Sequence, residues 1–204
     1  MEDKKLMLFL NENLFINKGT NRVCYEHPHE KIKCLKIDLT KNKETKRELK
    51  YYKILSKNNI SFDMLSRYYG SVETNLGIAE SFELIRNFDG SIAIELDKYL
   101  NNLNISDNEI EEIIKCIPSL KQYLYKNRIY VKDLNTVNIV YKRNKLNSKL
   151  VIIDGLAHSN YNPFLYQSDY FILKKIDKSW EKFVNSIKRK ELIKSNPFFK
   201  NYLH

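Results

Sequence analysis

Asp133, Asn138 and Asp154 stand in two short apolar runs, YVKDLNTVNIVY at 130–141 and LVIIDGL at 150–156. Polar and acidic residues in such surroundings are rarely buried without a partner, so each calls for either a local cap or a cation. Asp133 and Asn138 bracket the stretch LNTV, and Asp154 ends LVIID just before Gly155, where the backbone turns freely. If NIVY and LVIID pair across the turn KRNKLNS, Asn138 and Asp154 arrive at the same end of one hairpin. Two oxygen donors would then sit together, the kind a magnesium ion takes while keeping waters for substrate phosphates. The competing reading makes Asp133 and Asn138 turn caps and Asp154 a strand-end residue bonded to nearby amides.

Phosphoryl transfer needs more than metal ligands. It also needs a cation over the nucleotide phosphates, a partner that holds that cation, and a carboxylate that orients the attacking hydroxyl. Lys36 lies in CLKID between Leu35 and Ile37, mid-strand, where an unpaired ammonium is costly. Glu48, beside the apolar stripe of the next segment, is its natural partner.

The elements that must position these groups follow from periodicity. Residues 6–16 read as a strand, NKGTNR as a glycine-containing loop, VCYEH as a second strand and IKCLKID as a third. KETKRELKYYKILSK (43–57) lacks Gly and Pro, and Leu49, Tyr52 and Leu55 recur at helical spacing, which predicts a helix. YYGSVET and IAESFELIR are extended runs about the turn NLG. Residues 92–100 and 107–127 read as helices, the second kinked or restarted at Pro118. IYVKD, NIVYKR and LVIID read as small strands, and 169–192 as a basic amphipathic helix. The fold class expected is α+β: a strand-rich N-terminal lobe with one helix over residues 1–90 and a small helical lobe over 91–204, joined near 86–91.

Composition is permissive. At 204 residues and 43% hydrophobic, the chain can bury a real core. It has no run of about 18 uncharged apolar residues and no signal-like start, so a cytoplasmic protein is expected. An odd set of cysteines, Cys24, Cys34 and Cys116, points to reduced thiols. A net charge of +10 permits attraction to polyphosphate, anionic lipid or nucleic acid. It is weak evidence for any of them, because lysine and asparagine are tolerated on solvated surfaces whatever the function.

In order and spacing these features resemble the protein kinase-like fold and, more closely, a small bacterial family, the PhoP regulatory network protein YrbL. The resemblance is carried by GTNRVCYEHPHE, CLKID, RELKYYKIL, YYGSVETNLG, KDLNTVNIV and VIIDGL, and covers nearly the whole chain. It implies ATP and Mg2+ as cofactors, with Lys36 at the phosphates, Glu48 as its helix partner and Gly19 in the phosphate loop. It further implies Asp133 as the catalytic-loop aspartate, with Asn138 and Asp154 as magnesium ligands. The departures are specific. Gly19 is the only glycine of its loop, Val131 and Lys132 stand where kinases carry His and Arg, and Gly155 follows the metal aspartate in place of phenylalanine. A minimal kinase acting on a small-molecule or glycan hydroxyl is expected, with a nucleotide- or partner-binding pseudokinase of regulatory role as the alternative.

Three further patterns have plainer readings. Cys24, His27, His29 and Cys34 space as C-x2-H-x-H-x4-C, which could hold zinc but is no standard finger, so core thiols and a solvated turn are expected. Tyr51, Tyr52, Phe62, Tyr68 and Tyr69 could stack bases, but aromatics at these spacings are more often core, and nucleic acid is not an expected partner. Ile172, Ile176, Trp180, Phe183 and Ile187 form one helical stripe, which packs inward or, in the competing reading, meets a membrane surface or a regulatory protein partner.

Overall fold

Successive side chains of KCLKID point to opposite sides of the strand, which gives it two different faces. The computed structural model, which describes residues 7–40, 43–102, 105–156, 169–190 and 193, shows both faces covered. The chain opens with β1 (Phe15–Lys18), β2 (Arg22–Glu26) and β3 (Lys33–Asp38). β4 (Tyr68–Thr74) and β5 (Gly77–Glu83) complete a five-stranded antiparallel sheet in the order β1-β2-β3-β5-β4. Leu35 and Ile37 of β3 pack with Val23, Ala79 and Leu10 on one face. Cys34, on the other, joins Phe82 and the residues Tyr51, Tyr52 and Leu55 of helix α1 (Lys43–Lys57). Period two therefore puts Lys36 on the α1 side, and the register Cys24↔Lys36 and Arg22↔Asp38 puts Arg22 and Cys24 there as well.

The remaining elements are α2 (Leu96–Leu100), α3 (Asp107–Asn127), the hairpin β6 (Ile139–Lys142) with β7 (Lys149–Ile152), and α4 (Asp169–Lys188). Ser106 caps α3 by accepting the Glu109 amide at 3.3 Å. The α1-side core continues without a break into Ile113 and Leu120 of α3 and Ile176 and Phe183 of α4. The tail stripe, Ile172, Ile176, Trp180, Phe183 and Ile187, is buried along its whole length, as the packing reading expects. The architecture is thus mixed α+β, a multi-strand sheet with several helices. No helix among the described residues is long and apolar enough to cross a membrane.

Four local expectations are corrected. The first strand does not fill 6–16. The Asn11 side chain accepts the Asn13 amide and starts a 3-10 turn over Glu12–Leu14, while Leu8 bonds the β4–β5 turn through Glu73 and Asn75. IYVKD is no strand, because its amides bond separate partners: Tyr130 N–H donates to the Tyr51 hydroxyl and Asp133 N–H to the Gly155 carbonyl. Helix 92–100 shrinks to α2, since Ile92 bridges Arg86 and the Ile94 carbonyl accepts from Tyr141. Of the two readings of Pro118, the restart is corrected, since α3 runs through it as one helix. The proline lies exposed inside one helix whose buried side, including Ile114, Ile117 and Leu120, runs past it and outweighs the lost bond.

Candidate functional site

Four charged side chains from separate elements meet on the α1 side of the sheet. Glu48, at 0% exposure, accepts from Arg22 Nη2 at 2.5 Å. Arg22 also reaches Asp38 Oδ1 at 3.3 Å and Asp154 Oδ2 at 3.6 Å. Lys36 donates to the Ile153 carbonyl at 2.6 Å, lies 3.5 Å from Asp154 Oδ2, and sits over the Phe82 ring at 4.7 Å. The expected Lys36–Glu48 pair is therefore not made. Glu48 is on the right helix, but its bonded partner is Arg22, and the carboxylate at Lys36 is Asp154.

The electrostatics follow from this exchange of partners. Burial, reinforced by Asp154, pushes the Glu48 carboxyl up to about 7 against the pull of Arg22 and Lys36. Burial also pushes Asp154 up, but Lys36 and Arg22 outweigh it and bring that carboxyl down to about 2. Lys36 and Arg22, both opposed by burial, end above their ordinary values because Asp154 and Glu48 face them. Glu48 Oε1 and Arg22 Nη1 are buried with no hydrogen-bond partner among the described residues.

Asn135 shapes the lower half of the site. Its side chain accepts the amides of Val137 at 3.1 Å and Asn138 at 3.0 Å, starting a 3-10 turn over Thr136–Asn138 that runs straight into β6. Thr136 donates to Asp97 of α2 at 2.5 Å, and Asp97 also accepts from Lys190 at 2.5 Å. Asn138 Nδ2 donates to the Asp133 carbonyl at 2.9 Å and to Asp133 Oδ2 at 3.2 Å. Its backbone carbonyl accepts the Ile153 amide at 2.9 Å, so the hairpin does bring Asn138 and Asp154 to one end. Gly155 locks the approach. At φ +89°, a Cβ there would lie 2.5 Å from the Asp133 carbonyl oxygen and 3.0 Å from Asn138 Nδ2. Asp133, Asn138 and Asp154 are thus drawn together, with Asp133 exposed.

A cavity of about 620 Å3 separates the sheet from this hairpin. Cys24, Leu84, Ile85, Ala93 and Val140 line its apolar part, while Arg22, Lys36, Asn138 and Asp154 line its charged end. Asn17 Nδ2 donates to Glu95 Oε1 at 2.9 Å, joining β1 to the lead-in of α2. Gly19 lines the cavity, but its amide donates to the Arg22 carbonyl at 2.9 Å, so it offers a phosphate no N–H. The volume suits a nucleotide-sized ligand, and two fixed cations suit its phosphates. Asn138 Oδ1, free of hydrogen bonds among the described residues, and the Asp154 carboxylate are oxygen donors of the kind magnesium takes. Lys36 and Arg22, however, already neutralise Asp154 Oδ2, and the Gly155 amide donates to Oδ1 at 2.7 Å.

The zinc pattern resolves into a turn, with His27 Nδ1 accepting the amides of His29 at 3.2 Å and Glu30 at 3.0 Å. No group of three His, Cys, Asp or Glu side chains among the described residues is placed to hold a metal ion. Tyr51 and Tyr52 are core, and Phe62 and Tyr68 pack against it. The residues that sequence reasoning passed over are Arg22, Glu95 and Asn17. Arg22 falls in the stretch NKGTNR, which reads as loop, and only the pairing of β2 with β3 turns it inward.

A family model described as PhoP regulatory network protein YrbL matches residues 8–188. "Uncharacterized protein YrbL" of Escherichia coli (strain K12) is 30% identical over 183 residues, spanning 87% of this chain and 87% of that protein. The protein of the same name from Shigella flexneri matches with the same identity and coverage.

Proposed function

Because the chain belongs to the PhoP regulatory network protein YrbL family, we propose that it is a regulatory nucleotide-binding protein of protein kinase-like fold that carries out no phosphoryl transfer. In this reading residues 1–90 and 91–204 are its two lobes, with the nucleotide between them. The base occupies the apolar part of the cavity and the phosphates lie at Lys36. The observation that carries it is the 620 Å3 cavity running from apolar walls to a paired-cation end. Three departures favour binding over transfer: a loop glycine whose amide is already bonded, Val131 and Lys132 before Asp133, and a metal aspartate already neutralised by side chains. A nucleotide-dependent contact with a regulatory protein is the output expected of such a site.

The second reading is ATP-Mg2+-dependent transfer to a hydroxyl of a small molecule or glycan. It is favoured by the convergence of Asp133, Asn138 and Asp154, and it requires Arg22 to leave Asp154 so that magnesium can take its place.

Calorimetric titration with ATP, ADP and adenosine tests the binding claim. Affinity should rise with phosphate number, and absence of heat with all three would end it. Coupled measurement of ADP release in the presence of a panel of hydroxyl acceptors separates the readings. Background release supports the regulatory one, and acceptor-dependent turnover supports the kinase.

A further inference from the structure

Resting on the nucleotide-binding reading, we infer that Arg22 is the second phosphate-binding cation of the cleft and that it replaces the divalent metal, so nucleotide binds without magnesium. The argument begins with the unsatisfied atoms. Arg22 lines the charged end of the cavity, and its Nη1 is buried and makes no hydrogen bond among the described residues. Its one carboxylate neighbour in that direction, Asp154 Oδ2 at 3.6 Å, lies beyond hydrogen-bond reach. A buried guanidinium N–H without an acceptor is costly, and a phosphate oxygen is the acceptor its planar fork suits best. The other end of the guanidinium is held by Glu48 and Asp38, so the fork is oriented before any ligand arrives.

Charge points the same way. Magnesium at Asp154 and Asn138 would share one carboxylate with two cations, Lys36 Nζ at 3.5 Å from Asp154 Oδ2 and Arg22 Nη1 at 3.6 Å. It would be repelled by both while gaining little from a carboxylate that they already neutralise. A polyphosphate entering without metal meets two oriented cations whose charge Asp154, Glu48 and Asp38 offset in part, and Arg22 Nη1 as a donor with no bonded acceptor among the described residues.

The test is calorimetric titration of the full chain with ATP at fixed ionic strength, in EDTA and in excess magnesium, for the wild type, Arg22→Gln and Arg22→Lys, with adenosine as the phosphate-free control. Affinity in EDTA should equal or exceed that in magnesium. Arg22→Gln should weaken ATP at least tenfold while leaving adenosine unchanged, and Arg22→Lys should recover part of the loss. Circular dichroism confirms that each variant is folded, and if the glutamine variant is not, the Lys variant's selective loss of ATP over adenosine carries the test. ATP binding that appears only with magnesium overturns this inference and leaves the nucleotide reading standing. So does ATP affinity that is unchanged or tighter in Arg22→Gln, which would make the arginine a plug. No binding of ATP or adenosine under either condition overturns both.

Discussion

The two halves of the site are built differently. The upper half, Arg22, Lys36, Glu48 and Asp154, is an interlocked set of charges drawn from β2, β3, α1 and the segment after β7, with Glu48 wholly enclosed. The lower half holds Asp133 at the surface, tied through its own loop to Asn138. Buried charges demand partners and therefore fix one another's positions, whereas an exposed carboxylate is held by little and constrains little. The group on which the proposed binding would rest is overdetermined, and the group that transfer would require is not. That asymmetry is the structural side of the regulatory reading.

The contrast can be broken most directly at Glu48. Glu48→Ala strands the Arg22 guanidinium in a buried setting, and removal of one partner from such a pair costs about 3 kcal/mol. Urea denaturation should show that loss, and a change below about 1 kcal/mol would mean that Asp38 and Asp154 suffice to hold Arg22.

A smaller effect sharpens the same half. The Glu48 carboxyl keeps its proton up to about 7 in the folded chain, whereas an ordinary glutamate ionises near 4.5. The folded state therefore binds more protons across that window. Its stabilising contribution is complete below 4.5 and is lost as pH rises through 7. Asp154, depressed to about 2, has the opposite sign and acts only at more acid pH. The wild type should thus lose more Tm between pH 5 and pH 7.5 than Glu48→Gln does, a comparison that leaves other groups such as His27 in common. Equal slopes would show that Glu48 is ionised throughout as an ordinary partner of Arg22.

The smallest effect belongs to the lower half. Asp133→Asn should shift stability by less than about 0.5 kcal/mol and leave ATP affinity unchanged, because the side chain is exposed and its bond to Asn138 has a ready substitute in the new amide oxygen. Chemical denaturation and calorimetry on one preparation check both. A large loss of stability would show that the loop is held as tightly as the cluster above it.

How far the sequence reveals this depends on the range of the interaction. α1 over 43–57 and α3 over 107–127 follow from local periodicity, and so does the hairpin that joins Asn138 to Asp154. Asp133, Asn138 and Asp154 stand out because carboxylates and amides in apolar runs need explaining. The pairing of Lys36 could not be read this way. Which carboxylate a buried lysine meets depends on how α1 lies on the sheet and where β7 ends, and neither leaves a mark in CLKID. Arg22 is hidden for the same reason. In GTNRVCYEH it reads as one more loop-edge cation, and only the pairing of β2 with β3 turns it inward. The lost strand at 6–16 is a different kind of failure, in which one asparagine side chain outcompetes a β-like pattern.

Asp97 receives Thr136, two residues before Asn138, and Lys190, just past the end of α4, on the same carboxylate oxygen. In mechanical terms the candidate loop and the end of α4 share one acceptor, in addition to the direct packing of α4 on the turn Thr136–Asn138. A pull transmitted along α4 loads Lys190, then Asp97, then the turn carrying Asn138, and it does so without first unwinding a helix.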